Sequence, residues 1–449
     1  MPLTSARGPG TGRASDREAA GAGRPHTVFP YGAGFWTAAA VFVTAMAFST
    51  VPTPLYPLYK AHDGFSTFTV TVVFAVYAVG VLISLLLAGH VSDWLGRKKV
   101  MASALGLELL AAALFQSAPA LPVLLVARLV TGLGVGILTA TATAYLHELH
   151  SAHRPGASAR RFEIVSTAAN IGGLGLGPVA AGVLAQYLGA PLRLPYAVFA
   201  VLLLTGAGAL ALMPETVAKP AVRPAYRPQR AGTALGDPGF LAPAAAGFTS
   251  MAVFGLFTSV VPGFVGGTLH HPSRALAGLV VSAVFAAAAA AQTGTGRLGA
   301  RARWYAGLSA QAVGMAVLLV GIRLTSLPVF LLAGIIAGAG AGLLFKSAVG
   351  QVAHAAAPAR RGEALAGLFF ASYLGLALLP VGLGAASSAM SLSDATTWFA
   401  AVVLALLTAV AVRSHRHGPP RPAGPSPLHG TGDEPPPAPE PRPSSSPSK

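Results

Sequence analysis

Apolar residues in this chain collect into twelve long segments separated by short polar stretches. Each segment is close to the roughly 20 residues that cross a bilayer core at a 1.5 Å rise per residue. The first half predicts helices over 34–56, 68–90, 99–117, 121–146, 164–187 and 194–213. The second half predicts them over 239–262, 275–293, 304–322, 326–352, 364–387 and 395–412. Several contain Pro or Gly, which membrane helices tolerate. The longest internal polar stretch, 214–238, is dominated by Pro, Arg and Lys and separates six helices from six. The expected fold is therefore an all-α membrane protein of twelve transmembrane helices. They form two six-helix bundles, 34–213 and 239–412, joined by a cytoplasmic linker. Residues 1–33, rich in Gly, Ala, Ser and Arg, and the Pro- and Ser-rich residues 413–449 are expected to be disordered tails. The first has neither the apolar core nor the cleavage pattern of a signal peptide.

The two halves repeat, which makes the bundles pseudo-symmetric. Leu121-Pro122-Val123 through Gly132-Leu133-Gly134-Val135-Gly136 recurs as Leu327-Pro328-Val329 through Gly338-Ala339-Gly340-Ala341-Gly342. Ala159-Arg160-Arg161 recurs as Ala359-Arg360-Arg361, and Gly173, Pro178 and Gly182 recur as Gly375, Pro380 and Gly384. The stretch Gly299-Ala300-Arg301-Ala302-Arg303 is a worn copy of Gly96 to Val100. A duplicated unit of this kind is how alternating-access carriers are built, with substrate bound near the midplane between the halves.

Composition changes this picture little. With 53% hydrophobic and 10% charged residues, the chain is a polytopic membrane protein. The net charge of +16 does not point to nucleic acid, because the bases cluster between apolar segments, where they set orientation. Arg97, Lys98, Lys99, Arg154, Arg160, Arg161, Arg297, Arg301, Arg303, Arg360 and Arg361 all fall on one side, with both tails. Lys60, Arg193, Arg274 and Arg323 fall on the other. The bias places both termini in the cytoplasm and the chain in the plasma (inner) membrane. The absence of cysteine removes disulfides, thiolate metal sites and cysteine catalysis.

The loop between the second and third helices reads Gly89-His90-Val91-Ser92-Asp93-Trp94-Leu95-Gly96-Arg97-Lys98-Lys99. A basic anchor explains the three bases but not Asp93 or the glycines around it. The loop resembles the major facilitator superfamily pattern G-x-x-x-D-x-x-G-R-[RK]-[RK], with every fixed position present. Arg128 and Gly132 resemble that family's helix 4 pattern R-x-x-x-G. Gly173-Leu174-Gly175-Leu176-Gly177-Pro178-Val179-Ala180-Ala181-Gly182 resembles its helix 5 pattern G-x-x-x-G-P-x-x-G-G, with Ala181 in place of one glycine. Pro52-Thr53-Pro54-Leu55-Tyr56-Pro57 resembles the proline-rich end of helix 1 in twelve-helix drug/proton antiporters, and Pro214-Glu215-Thr216 weakly resembles the P-E-T after helix 6. The resemblance covers about residues 34–412.

It implies the major facilitator fold and a gating role for Gly89, Asp93, Gly96, Arg97, Lys98 and Lys99. Asp93 would contact the start of helix 11, a helix N-terminus that favours a carboxylate. Arg128, Gly132, Gly173, Gly177, Pro178 and Gly182 would serve conformational change. Glu148, at the end of helix 4, either bridges Arg97 or is a solvated loop carboxylate. A buried Arg128 costs at least about 2.5 kcal/mol and needs a partner; otherwise it snorkels outward. Glu108, mid-helix 3 with Ala104, Ala111 and Ala112 on its face, is either a proton-coupling group or a neutral carboxyl bonded between helices. Lys346 in helix 10 either faces the cavity or snorkels. Helices 1, 4, 7 and 10 line the cavity in the family; here they offer Thr44, Ser49, Thr139, Thr141, Thr143, Phe254 and Lys346. Helix 1 carries no acid, unlike many proton-coupled exporters of the family.

The function expected is secondary active transport by alternating access: proton-coupled efflux of a small, partly apolar molecule or drug. An uptake symporter of the same fold is the alternative. An enzyme is not expected, since the cluster His147-Glu148-Leu149-His150 departs from H-E-x-x-H and is placed in a loop. No cofactor and no metal are expected. The partners are a small-molecule substrate, protons and the lipid bilayer, and the chain is expected to be a monomer.

Overall fold

The structure, a computed structural model, describes residues 29–88, 91–217, 226 and 239–417. Residues 1–28 and 418–449 of the expected tails and most of the linker lie outside these residues, as does Gly89; residues 31–33 and 413–417, expected in the tails, are helical. Twelve apolar helices long enough to span a membrane are present, and the described residues contain no strand. In chain order they are α1 (Tyr31–Asp63), α2 (Thr67–Ala88), α3 (Arg97–Ser117), α4 (Leu121–His153), α5 (Arg160–Tyr187) and α6 (Leu194–Ala211). The second bundle holds α7 (Leu241–Ser259), α8 (Arg274–Arg297), α9 (Ala300–Arg323), α10 (Leu327–Ala355), α11 (Arg361–Ala386) and α12 (Leu392–Arg416).

Three spans are interrupted. The first segment of α1 ends at Thr50, a 3₁₀ turn covers Thr53–Leu55, and helix resumes at Tyr56. Pro52, Pro54 and Pro57 remove three successive donors there. The second bundle repeats the break: α7 stops at Ser259 and a short helix, Val261–Gly267, restarts around Pro262. The third interruption is a π-turn over Ala168–Gly172 within α5. The main departures from the expected boundaries are α1, which runs seven residues past 56 to Asp63, and α4, which runs seven residues past 146 to His153.

Packing inside each bundle relies on close backbone approach. A Cβ on Gly132 of α4 would lie 2.9 Å from Gly80 Cα of α2 and would strike the Tyr77 carbonyl. Gly173 and Gly177 bring α5 against Val43, Met46 and Ala47 of α1; Gly375 does the same for α11 against Phe248 of α7. The halves also meet through the repeat. Gly182 of α5 abuts the Arg274 carbonyl at the start of α8, the Pro178 carbonyl meets Gly278, and Gly384 of α11 meets Phe68 and Thr71 of α2. Arg274 adds two bonds across this seam, N–H to Gln186 Oε1 at 3.0 Å and Nη1 to the Ala185 carbonyl at 2.7 Å. All these contacts lie toward the end away from Arg97 and Arg160. At that basic end the halves part, leaving a crevice between Arg160 and Glu163 on one side and Arg297 and Lys346 on the other.

Gly132→Leu is expected to destabilise the protein by about 1–3 kcal/mol or more, since backbone and not a movable side chain blocks the added atoms. Gly106→Leu, on α3 with nothing within 4 Å, is the control. Thermal unfolding in detergent should show a lower midpoint for the first and little change for the second; equal midpoints would disprove the tight α2–α4 crossing.

Candidate functional site

At the basic end, the start of α3 gathers a cluster of charges. Arg97, 7% exposed, directs Nη1 to Asp93 Oδ1 and Ser92 Oγ, each at 2.6 Å. Its Nε and Nη2 bond Glu148 at 2.8–3.2 Å, a forked geometry that suits guanidinium and carboxylate. Glu148 is therefore no solvated loop acid. Thr216 donates a second bond to it from beyond α6. Glu215 caps α3: its carboxylate accepts from the backbone N–H of Arg97 at 2.9 Å and Lys98 at 3.1 Å. A negative group at a helix N-terminus is favourable, and these N–H groups have no helical acceptor. Gly96 is required for this. It has φ of +97°, and a Cβ there would meet Glu215 Oε2 at 2.7 Å. Lys98 Nζ reaches the Ala211 carbonyl at 2.9 Å, and Lys99 is exposed. The weak P-E-T resemblance thus marks a structural tie between the start of the linker and α3.

Asp93 departs from the expected geometry. Its side chain is 62% exposed and its bond goes to Arg97, with none to the start of α11. The His147–His150 cluster is also corrected, since it occupies the last turns of α4 and not a loop. His147 packs edge-on against Phe162, His150 lies against Phe35, and Glu148 is held by Arg97.

Deeper in the first bundle, Arg128 is fully buried and does not snorkel. Its Nη1 donates to the Ser49 carbonyl at 2.7 Å, in the last turn before the α1 break, where carbonyls lack helical donors. Its guanidinium lies 4.7 Å from the Tyr77 ring centroid and 5.6 Å from that of Phe74. Nε and Nη2 have no partner, nor do the neighbouring hydroxyls of Thr53 and Tyr56. Glu108 is also fully buried, against Gly134, with both oxygens unpartnered; the interhelical hydrogen bond expected of a neutral carboxyl is not made.

Between the halves lies a cavity of about 270 Å³. Thr139, Thr143 and Phe254, expected from the sequence, line it. Thr44, Ser49, Thr141 and Lys346 do not. Ser49 is buried with its hydroxyl on the Met46 carbonyl, and the next residue, Thr50, takes its place at the cavity. One residue along a helix turns the side chain by 100°, enough to move it off the wall. Thr141 is buried without a partner, and Thr44 bonds back to Ala40. Lys346 lines the polar crevice at the basic end, where Nζ holds the Gln292 carbonyl at 2.7 Å.

Much of the wall comes from helices outside the expected set. Phe74 and Tyr77 stand on α2, Asn170 on α5, Phe285 and Gln292 on α8, and Phe369 and Tyr373 on α11. The lining carries no charged side chain. Phe254 and Phe285 stack at 5.0 Å with 11° between planes. Asn170 sits in the π-turn of α5, a feature common at functional sites. A lone amide in an apolar helix was the signal available for Asn170 and Gln292.

The sequence profile of the Major Facilitator Superfamily matches the chain twice, over residues 37–270 and 243–445. No curated protein matches the sequence. The crystal structure of the human organic anion transporter MFSD10 (TETRAN) is similar with a TM-score of 0.64 at 16% identity, covering 85% of this chain and 100% of that one. That of the nucleoside transporter NupG is similar with a TM-score of 0.64 at 15% identity, covering 85% and 99%. Identities this low establish likeness of fold alone. With the profile matched over most of its length, and with twelve spans in two pseudo-symmetric bundles around a central cavity, the chain belongs to the Major Facilitator Superfamily and has the fold of its membrane transporters.

Proposed function

We propose that the protein is a proton-coupled exporter that works by alternating access. The observation that carries this reading is the cavity between the halves, walled off by the α2–α11 and α5–α8 seams and parted at the basic end. The charge bias supports a cytoplasmic location for that end, and with it a conformation that faces inward and collects substrate from inside the cell. The small-residue run of α5 suits alternating access: one end, Gly173 and Gly177, fits α1, and the other, Gly182, fits the opposite half. A rocking motion would use both contacts as fixed surfaces. In inside-out vesicles with an acid lumen, an exporter accumulates substrate; failure to accumulate any transported substrate there would favour the uptake symporter.

The proton site in this reading is Glu108. The offset that relates Gly96 to Gly299 takes Glu108 to Gln311; Gly134 lies against the Glu108 carboxyl, whereas Gly340 lies against the backbone of Gln311. Gln311 donates from Nε2 to the Thr249 carbonyl of α7 at 2.9 Å. The first bundle therefore carries an ionisable group where the second carries its neutral isostere. Arg128 on α4 and Tyr77 on α2 interact with it electrostatically, and Tyr77 lines the cavity. Glu108→Gln reproduces the chemistry of the other half and should fold normally. Substrate-driven proton movement in proteoliposomes should be abolished while substrate binding remains; unchanged proton movement would move the coupling site elsewhere.

Gating is assigned to Asp93. In the inward-facing state it is largely exposed on Arg97, and closure of the basic end would bring it to the first turn of α11. An exposed pair contributes at most about 1 kcal/mol, so Asp93→Asn should assemble and melt like the parent. Transport should fall at least roughly tenfold, and cross-links that report the inward-facing state should change in yield. Normal transport by a well-expressed Asp93→Asn would reduce this loop to a topology anchor.

A further inference from the structure

We infer that the substrate is an uncharged, flat, aromatic molecule with a hydrogen-bond donor and acceptor side by side on one edge, as in a cyclic amide, and that Asn170 and Gln292 read that edge. The inference deepens the transport reading above and rests on it for the identity of the cavity.

Three observations carry it. First, the wall has no formal charge, while the charged groups around it are engaged elsewhere. Lys346 is turned to the Gln292 carbonyl at the crevice, and Arg128 lies behind the Tyr77 ring, bonded to Ser49. A cation or anion entering this space would lose its hydration and find no counter-charge. Second, the apolar part is aromatic and flat. The parallel Phe254–Phe285 pair spans α7 and α8, and Phe74, Phe345 and Phe369 complete ring-lined walls. Such walls favour a planar guest through stacking and edge contacts. At about 270 Å³, the space suits a molecule of two or three fused rings.

Third, the hydrogen-bonding capacity of the wall is selective. The hydroxyls of Thr50, Thr139 and Thr258 are taken by carbonyls of their own helices, while those of Thr143, Ser166, Thr167 and Tyr373 also stand at the wall, each a single group without the paired donor and acceptor of an amide. The amides of Asn170 and Gln292 have no side-chain partner among the described residues. A carboxamide presents a donor and an acceptor together, and its natural complement is another amide edge. One stands on each half: Asn170 in the π-turn of α5, and Gln292, 7% exposed, near the basic end of α8. The wider turn leaves consecutive residues, Asn170 and Ile171, both at the cavity. A guest bonded to both amides would be held by both halves, and their relative movement would be sensed through it.

The test uses four probes with one ring skeleton: phenanthridinone, its N-methyl derivative, the 5-methylphenanthridinium cation and phenanthridine-6-carboxylate. Binding to the detergent-purified full chain is measured by titration calorimetry. Phenanthridinone should bind at least about tenfold more tightly than either charged probe and than the N-methyl lactam, which lacks the donor. Asn170→Leu and Gln292→Leu should each weaken phenanthridinone by about tenfold and weaken the N-methyl lactam less, since it keeps the carbonyl but lacks the donor. Equal or tighter binding of a charged probe overturns the inference, as does absence of lactam binding up to about 1 mM. Equal affinity for the two lactams overturns the role of the amides. The probe ranking on the unaltered protein decides even if a variant fails to fold. Counterflow in proteoliposomes separates this from the transport reading. A lactam that binds as ranked but does not exchange refutes transport alone, and preferential exchange of a charged probe refutes the substrate class alone.

Discussion

Helices in hydrocarbon gain nothing by hiding leucine from lipid, so their association depends on how closely two backbones can approach. That constraint governs this structure. Gly132 with Gly80 sets the α2–α4 crossing, Gly173 and Gly177 seat α5 on α1, and Gly375 seats α11 on α7. The same helices then use Gly182 and Gly384 to meet the opposite half. Each of α5 and α11 is thus a two-sided wedge, with one contact inside its bundle and one across the seam. The tight contacts across the seam collect away from the basic end, which leaves the cavity accessible from one side.

Charge is organised by the opposite rule. Most of the bases stay at one end, where Arg97 is joined to Asp93 and Glu148. Arg97 holds Asp93, Ser92 and Glu148, and Glu215 closes the N-terminus of α3. This ties α3, α4 and the start of the linker into one unit, while Asp93 stays exposed at its edge. The cavity between the halves is by contrast free of charge, and its polarity comes from two amides and a set of hydroxyls. Buried ionisable groups exist beside it, at Arg128 and Glu108, but behind its wall. Separating a neutral binding surface from nearby titratable groups would let substrate and proton occupy different places in one bundle.

Most of the architecture was legible in the sequence. The number of spans, the duplication, the charged end and the special loop before α3 all follow from hydropathy, repeated short strings and the placement of Lys and Arg. These are local, additive properties: a span is set by its own 20 or so residues, and a loop by its own charges. Pro52, Pro54 and Pro57 stood out as the expected end of α1, but they mark a break beyond which the helix resumes to Asp63. Glu108 and Arg128 also stood out unaided, since an ionisable residue in an apolar run is rare.

Which side chain faces which space was decided only by the tertiary structure. Thr50 replaces Ser49 at the cavity, Lys346 falls in the crevice below it, and Asn170 and Gln292 arrive from helices outside the expected set. Glu215 finds the N-terminus of α3 from 118 residues away. Side-chain direction turns by 100° per residue, so a π-turn in α5 or a proline break in α1 reassigns every face beyond it. Hydropathy is nearly uniform around these spans and carries no record of that rotation, because lipid and a neighbouring helix are equally apolar.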